Sequence, residues 1–195
     1  MHENAGATVL AYPEESHEMI PARVELGVGP GDYTIQMVKE NLGPVWAYDM
    51  FNGTFPASTL WDNEDTRLIN AIAPQCNQGV KMGLEALGVT CVEGEFPATF
   101  WKSRPESVSF VRCDMDTYVT TIAALELFHR IMVPGGYFLI HDYAHGGLAG
   151  VGRAVAEFME GPIGRNYEKS DNGDGQHLKI QKIQRRNDCS LTRLY

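Results

Sequence analysis

The sequence lacks long apolar runs and an excess of positive charge. All of its apolar stretches are shorter than the about twenty residues that a membrane-spanning helix needs. The formal net charge is −9 at pH 7, and a chain of that sign is repelled by phosphate backbones and anionic lipid surfaces. We therefore expect neither nucleic acid nor membrane as a partner.

Paired cysteine motifs and a leader segment are also missing. The cysteines, at positions 76, 91, 113 and 189, lie far apart and form no zinc-binding pair. The first residues lack the basic start and apolar core of a signal peptide. A reduced, cytoplasmic protein is the prediction.

No low-complexity tract interrupts the chain, which has 195 residues, 44% of them hydrophobic. That length suits one α/β domain with a sizeable core. We expect an N-terminal extension over residues 1–22 and a single domain over residues 23–195.

Two short β-forming segments end in acidic residues. The first, Val108–Cys113, leads into Asp114 and Asp116; the second, Gly136–His141, leads into Asp142. A helical pattern between them predicts a strand–helix–strand unit with two adjacent parallel strands. Because ligands of open α/β sheets bind beyond the carboxyl ends of the strands, we expect Asp114, Asp116, His141 and Asp142 to converge.

A glycine-rich turn follows the first predicted strand, Arg23–Val28. Gly27, Gly29 and Gly31 do not match the G-x-G-x-x-G of a dinucleotide site. Pro30 removes an amide donor and Asp32 adds negative charge where a pyrophosphate would bind. Both favour a cationic ligand without phosphate, such as S-adenosylmethionine, over an empty tight turn as the alternative.

Two further strand ends lie on the same predicted edge. Asp49 ends the second strand, about twenty residues after the turn, where an acid accepts both hydroxyls of a ribose; a cap or turn role is the alternative. The third strand leads into Gly94, which permits close approach of a nucleoside, and Phe96 or Trp101 would pack on its base.

The remaining segments complete the predicted fold. The irregular region 51–78 is interpreted as a binding loop or lid carrying Phe55 and Trp61. Near the C-terminus, two strands joined by Asp171–Gly175 predict an antiparallel hairpin. The expected architecture is a doubly wound, Rossmann-like α/β fold with a seven-stranded sheet and a C-terminal antiparallel hairpin, the arrangement of class I methyltransferases.

Several segments in order resemble the macrocin O-methyltransferase (TylF-type) family over roughly residues 23–160: Val24–Val28, Tyr48–Gly53, Glu93–Thr99, Cys113–Tyr118, Pro134–Gly136 and Ile140–Tyr143. These are class I enzymes that use S-adenosylmethionine to methylate sugar hydroxyls in antibiotic biosynthesis. The resemblance implies a set of cofactor-binding residues: Glu25, Gly27, Gly29, Gly31, Asp49, Met50, Gly94, Glu95, Phe96 and Asp114.

The resemblance also implies a divalent metal, magnesium or manganese, bound by Asp114, His141 and Asp142. His141 stands where the family carries the first acid of a consecutive pair. An imidazole there favours manganese, iron or zinc over magnesium. Asp116 is the implied general base, with His145 as a second proton acceptor. Alternatively the metal is lost and His141 is the base.

The predicted function is O-methylation of a hydroxyl on a small molecule, either the sugar of a natural product or another vicinal diol. The protein is expected to form a homo-oligomer. Family members carry a longer N-terminal segment, so the lid is expected to be reduced or supplied by a neighbouring subunit. The alternatives are a metal-independent methyltransferase using His141 or Asp116, and a non-catalytic nucleoside-binding scaffold. A nicotinamide-dependent oxidoreductase would need the dinucleotide motif and a parallel sixth strand.

Overall fold

A computed structural model describes residues 19–54, 73–144 and 148–184. Strands and helices alternate along these residues, in this order: β1 (Ala22–Leu26), α1 (Asp32–Glu40), β2 (Val45–Asp49), α2 (Gln78–Ala86), β3 (Thr90–Glu93), α3 (Ala98–Lys102), β4 (Val108–Cys113), α4 (Tyr118–Phe128), β5 (Met132–His141), α5 (Ala149–Glu160), β6 (Tyr167–Asp171) and β7 (His177–Lys182). Short 3-10 turns cover Ala73–Gln75 and Gly164–Asn166.

The strands form one seven-stranded sheet in the order β3-β2-β1-β4-β5-β7-β6. Strands β1 to β5 run parallel, whereas β7 pairs antiparallel with both β5 and β6. This topology confirms the predicted doubly wound sheet with a C-terminal hairpin. The order reverses between β1 and β4, and such a switch point opens a crevice at the carboxyl edge.

Two apolar cores cover the faces of the sheet, as expected for parallel strands buried on both sides. Every residue of β1 is buried. One core includes Leu125 and Phe128 of α4 and Val155 and Phe158 of α5. The other includes Met37 of α1. Within the described ranges, no helix is long and apolar enough to cross a bilayer.

Helix starts are fixed by local hydrogen bonds. The Asn77 side chain accepts the backbone N–H groups of Gly79 and Val80 at the start of α2. The Thr117 side chain accepts the N–H of Thr120 at the start of α4. Such caps satisfy amide donors that have no partner within the helix, and Thr117 thereby ends the segment that carries Asp114 and Asp116.

Two details differ from the sequence-based prediction. Strand β5 begins at Met132 and not at Gly136, so Pro134 and Gly135 also lie inside it. The register moves from Val108↔Met132 to Phe110↔Tyr137, an irregularity that accommodates the extra residues. The short helix α3 was not predicted, because five residues rich in aromatics carry no helical period.

Candidate active site

The carboxyl ends of β1, β4 and β5 lie side by side. Leu26 pairs with Cys113, and Cys113 pairs with Ile140. The backbone N–H of Asp114 donates to the carbonyl of Leu26 at 2.9 Å. Asp114 therefore leaves β4 beside the glycine turn on one side and His141 on the other.

Asp114, His141 and Asp142 form a compact group of possible metal ligands. One ligand atom from each lies within 4.8 Å of the other two. The Nδ1 atom of His141 is 3.0 Å from Asp114 Oδ1 and 2.9 Å from Asp142 Oδ2. Neither carboxylate forms a well-directed hydrogen bond with this buried nitrogen. One nitrogen and two carboxylate oxygens facing a common point suit a divalent cation.

Asp116 sits close to this group in a different electrostatic setting. Its backbone has φ 59, and that of Asp142 has φ 54. Such left-handed positions cost non-glycine residues of order 1–3 kcal/mol and cluster at functional sites. Burial first, then the charges of Asp114 and Asp142, raise the pKa of Asp116 to about 7.

A buried ion-pair chain supports Asp114 from behind. Arg112 Nη1 lies 2.7 Å from Glu25 Oε1, and Arg112 Nη2 lies 2.7 Å from Asp114 Oδ2. The guanidinium also packs over the Tyr33 ring, 4.5 Å from its centroid. Arg112 thus holds one oxygen of Asp114 and leaves Oδ1 directed toward His141.

These contacts shift the pKa values of the neighbouring groups in different directions. Burial raises the pKa of Glu25 to about 7, against the charge of Arg112 and the hydrogen bond from Thr34. Burial also acts to raise the pKa of Asp114, but contact with His141 and the charge of Arg112 outweigh it and hold that pKa below its ordinary value. The contacts with Asp114 and then Asp142 raise the pKa of His141 to about 10.

The glycine turn packs tightly against the end of β4. A Cβ on Gly27 (φ 80) would lie 1.9 Å from the Asp114 carbonyl oxygen, so only glycine fits there. By contrast, a Cβ on Gly29 would meet nothing within 4 Å. Gly31 begins α1 with φ 91. The turn thus has a packed side toward β4 and an open side.

Asp49 is tied to the same turn. Its carboxylate accepts the backbone N–H of Val28 at 2.8 Å and that of Phe51 at 3.1 Å. Because a carboxylate offers about four acceptor positions, it keeps capacity for the two hydroxyls of a ribose. Met50 follows, half-buried, at the same edge.

The residues after β3 that were predicted to contact the nucleoside lie in different surroundings. The Gly94 N–H donates to the Asp49 carbonyl at 3.0 Å, and Glu95 is exposed beside it. The Phe96 ring, however, is only 3% exposed and packs against Tyr48 and Phe128. Stacking of this ring on adenine is therefore wrong as an expectation, because the ring belongs to the core.

Trp101 does not face the candidate site either. It lines a cavity of about 550 Å³ with Pro105 and Ile131, which precede β4 and β5. The cavity lies at the amino ends of the strands, opposite Asp114. Predictions that concern Phe55, Trp61 and His145 fall outside the described residues.

Sequence reasoning missed Arg112 and His177. Arg112 pairs in register with Glu25 across β1 and β4, so the signal was a glutamate in one largely apolar strand and an arginine in another. His177 stands opposite His141 across β5 and β7. Its signal was a histidine at the first position of the last strand.

Comparisons with known proteins agree on fold and family. A family model described as macrocin-O-methyltransferase (TylF) matches residues 18–163. No curated protein sequence gives a significant match. The O-methyltransferase NovP superposes with a TM-score of 0.68 and 21% identity, over 84% of this chain and 72% of NovP.

Two other solved structures show the same fold. CalS11, a calicheamicin methyltransferase, has a TM-score of 0.65 and 14% identity, over 83% of this chain and 72% of CalS11. Its apo structure is described as a TDP-rhamnose 3'-O-methyltransferase. Cofactor-bound Rv0187 from MTB has a TM-score of 0.58 and 14% identity, over 85% of this chain and 73% of that protein.

Proposed function

This chain belongs to the macrocin O-methyltransferase (TylF) family, and we propose that it transfers the methyl group of S-adenosylmethionine to a small-molecule hydroxyl with the help of a divalent metal. The acceptor class we infer is a sugar on a natural product or another vicinal diol. The description of CalS11 as acting on TDP-rhamnose supports a sugar.

The cofactor site is formed by the glycine turn and Asp49. S-adenosylmethionine supplies a methyl group already activated on a sulfonium. The carboxylate of Asp49 takes the ribose hydroxyls with its remaining acceptor positions. Gly29 leaves open space beside the turn, and the acids beyond β4 favour a cationic sulfonium over a phosphate-bearing ligand.

The metal site is formed by Asp114 Oδ1, His141 Nδ1 and Asp142 Oδ2. A bound divalent cation supplies positive charge that favours ionisation of an acceptor hydroxyl. Arg112 fixes the other oxygen of Asp114, so the carboxylate presents Oδ1 without having to reorient. We infer that His141 shifts the selectivity toward manganese or another transition metal.

Asp116 accepts the proton released by the acceptor hydroxyl. During transfer the S–CH₃ bond breaks, the O–CH₃ bond forms, and the hydroxyl proton moves to the Asp116 carboxylate. The neighbouring strand ends hold cofactor and acceptor in fixed orientation, which can contribute about 7–11 kcal/mol to such reactions. The residue is suited to this role because its pKa is raised to about 7.

One observation carries the proposal. Three ligand atoms, from Asp114, His141 and Asp142, lie within 4.8 Å of one another beside a glycine turn that packs on Asp114. A nucleoside-binding fold alone does not require that grouping. The metal and the cofactor would therefore meet at the switch point of the sheet.

The test is calorimetric titration of wild type and Asp114→Ala with Mn²⁺ and, separately, with S-adenosylhomocysteine. We expect Asp114→Ala to lose Mn²⁺ binding and turnover while it still binds S-adenosylhomocysteine. Glu126→Gln, which removes an exposed acid of α4, serves as the control and should behave as wild type. Equal Mn²⁺ binding by wild type and Asp114→Ala would contradict the metal site.

A second candidate is metal-independent methyl transfer with Asp116 as base. The raised pKa of Asp116, about 7, favours it because such a carboxylate can exchange protons near neutral pH without a cation. His141 is less suited, since its pKa of about 10 keeps it protonated. Full activity in excess EDTA would select this candidate.

A further inference from the structure

His177 brings a second imidazole to the edge where the acids converge. It pairs in register with His141 across the antiparallel strands β5 and β7. The two rings meet edge to face, with centroids 4.7 Å apart and planes at 62°. Only 16% of the His177 side chain is exposed.

The hairpin between β6 and β7 fixes which nitrogen of His177 carries a proton. Asp174 Oδ2 lies 2.6 Å from His177 Nδ1, and Asp174 Oδ1 accepts the backbone N–H groups of Gln176 and His177 at 2.9 and 2.8 Å. Those backbone bonds hold the pKa of Asp174 far below its ordinary value. Since a carboxylate only accepts, Nδ1 donates and Nε2 of the neutral ring presents a lone pair.

That lone pair accepts no hydrogen bond from the hairpin. Nε2 of His177 is buried and makes no hydrogen bond within the described part of the chain. A buried acceptor without a donor is unfavourable and calls for an explanation. The imidazole of His141 lies against the same ring.

His141 has the complementary requirement. Binding of a metal through Nδ1 requires that nitrogen to be bare, which leaves the proton on Nε2 of the same ring. Metal-ligating histidines usually donate this second N–H to a protein acceptor, and the bond fixes both tautomer and ring orientation. His141 therefore needs an acceptor beside its ring.

We propose that His177 is a positioning residue whose bare Nε2 accepts the Nε2–H of His141 and thereby keeps Nδ1 of His141 available to the metal. Asp174 fixes His177, and His177 fixes His141. The rings are already in contact, so the bond needs only a change of ring orientation. The inference rests on the proposed metal site and adds to it a pair of residues, Asp174 and His177, that touch no ligand.

Positioning fits His177 better than direct ligation. Within the described ranges, the group whose ligand atoms lie within 4.8 Å of one another contains Asp114, His141 and Asp142, and His177 is not among them. Its Nδ1 is committed to Asp174. The imidazole therefore acts on the metal through His141.

The decisive variant is Asp174→Asn. The amide oxygen can still accept the backbone N–H groups that close the hairpin, but the amide nitrogen donates to Nδ1 of His177 and moves the ring proton to Nε2. Two donors then face each other. We expect Mn²⁺ affinity, measured by calorimetry on the full chain, to fall about 10–100-fold.

Two substitutions at position 177 complete the series. His177→Phe removes the acceptor and should lose a similar factor in affinity, while His177→Gln, whose amide oxygen can accept, should recover part of it. The visible absorption of bound Co²⁺ should change in Asp174→Asn and His177→Phe, because the His141 ligand is reoriented. Glu168→Gln is the matched hairpin control, since it changes only an exposed side chain of β6, and it should bind Mn²⁺ as wild type does.

Affinity for S-adenosylhomocysteine and circular dichroism verify that each variant is folded. Wild-type Mn²⁺ affinity in both Asp174→Asn and His177→Phe would overturn the positioning role and leave the metal site intact. Loss in Asp174→Asn alone would also overturn it, because the effect would then come from the hairpin. A wild-type protein that binds no Mn²⁺ would overturn the metal site and this inference together.

Discussion

Asp114 and Asp116 are two positions apart, yet their environments drive their carboxyl groups in opposite directions. Contact with His141 and Arg112 outweighs burial and lowers the pKa of Asp114. Burial and the like charges of two neighbouring carboxylates disfavour the ionised form of Asp116 and raise its pKa to about 7. When the pKa values of two neighbouring carboxyl groups are shifted apart in this way, one group commonly stays ionised and the other exchanges a proton during the reaction. We infer that Asp114 binds the metal and Asp116 takes the proton.

The role of Asp116 predicts a pH dependence. A base must be ionised, so kcat/KM should rise with pH and level off above the pKa of Asp116, about 7 without metal. A bound cation favours the carboxylate and should move the rise to lower pH. Asp116→Asn should lose about 10²–10⁴-fold in kcat/KM together with the pH-dependent rise. Wild-type rates and an unchanged profile in Asp116→Asn would remove this residue from the mechanism.

The sequence predicted that Asp114 and Asp142 lie close together, because each directly follows a strand whose apolar character is plain. Arg112 was missed because its role depends on the pairing of β1 with β4, which places it opposite Glu25. His177 was missed for the same reason: only the antiparallel pairing of β5 and β7 brings it to His141. Local pattern finds strand ends, whereas contacts between strands require the register.

Among the secondary-structure elements, the turn between β1 and α1 has the tightest steric requirement. Gly27 and Gly29 both have positive φ, 80 and 54, but their surroundings differ. A Cβ at position 27 would collide with the backbone of Asp114, while one at position 29 would meet open space. Substitution at position 27 therefore tests both the steric clash and the backbone strain, whereas substitution at position 29 tests the backbone strain alone.

We expect Gly27→Ala to destabilise the fold by roughly 2–5 kcal/mol, since it adds a backbone clash to left-handed strain. Gly29→Ala carries only the strain, about 1–2 kcal/mol. Urea unfolding of both variants measures the difference. Equal losses would show that β4 moves away at little cost and that Asp114 is less firmly placed than its contacts indicate.

The elements also show where pattern reasoning stops. Strand order, the parallel core and the C-terminal hairpin followed from the alternation of segments and the turn residues. The inclusion of Pro134 and Gly135 in β5 did not, because proline and glycine usually end a strand and here form an irregularity within it. The burial of Phe96 depends on Tyr48 and Phe128, which are distant in sequence.

Across the whole molecule, a chain of buried polar contacts runs from the Thr34 hydroxyl through Glu25 and Arg112 to Asp114. Glu25 is fully buried, and burial raises its pKa to about 7. The folded protein therefore binds a proton that the unfolded chain releases above its ordinary pKa of about 4.5. The stabilisation from this proton is present below pH 4.5 and is lost as pH rises through about 7.

Glu25→Gln should remove that dependence. Relative to wild type, Glu25→Gln should be more stable at pH 8 than at pH 5, that is, its free energy of unfolding should exceed the wild-type value by more at pH 8, as measured by urea denaturation at both values. Thr34→Val provides a second variant, because it deletes a hydrogen bond that lowers the pKa of Glu25. The pKa of Glu25 should therefore rise further in this variant, and the pH-dependent fall in the free energy of unfolding should continue to higher pH than in wild type. A difference between Glu25→Gln and wild type that is the same at both pH values would contradict the assignment.

The division into a 1–22 extension and a 23–195 domain, the cytoplasmic location and the homo-oligomer stay predictions. The first described strand begins at Ala22, next to the expected boundary. Light scattering on the purified chain would measure the oligomeric state.

The position of His141 between two carboxylates has a thermodynamic consequence. With a pKa of about 10, its ring nitrogen holds a hydrogen ion at neutral pH, and ligation at Nδ1 must expel that ion. Uptake of the proposed metal would thus be an exchange of one cation for another. Acidification of the surroundings would drive the exchange backward, so a dependence on metal and a sensitivity to acid would have a single origin.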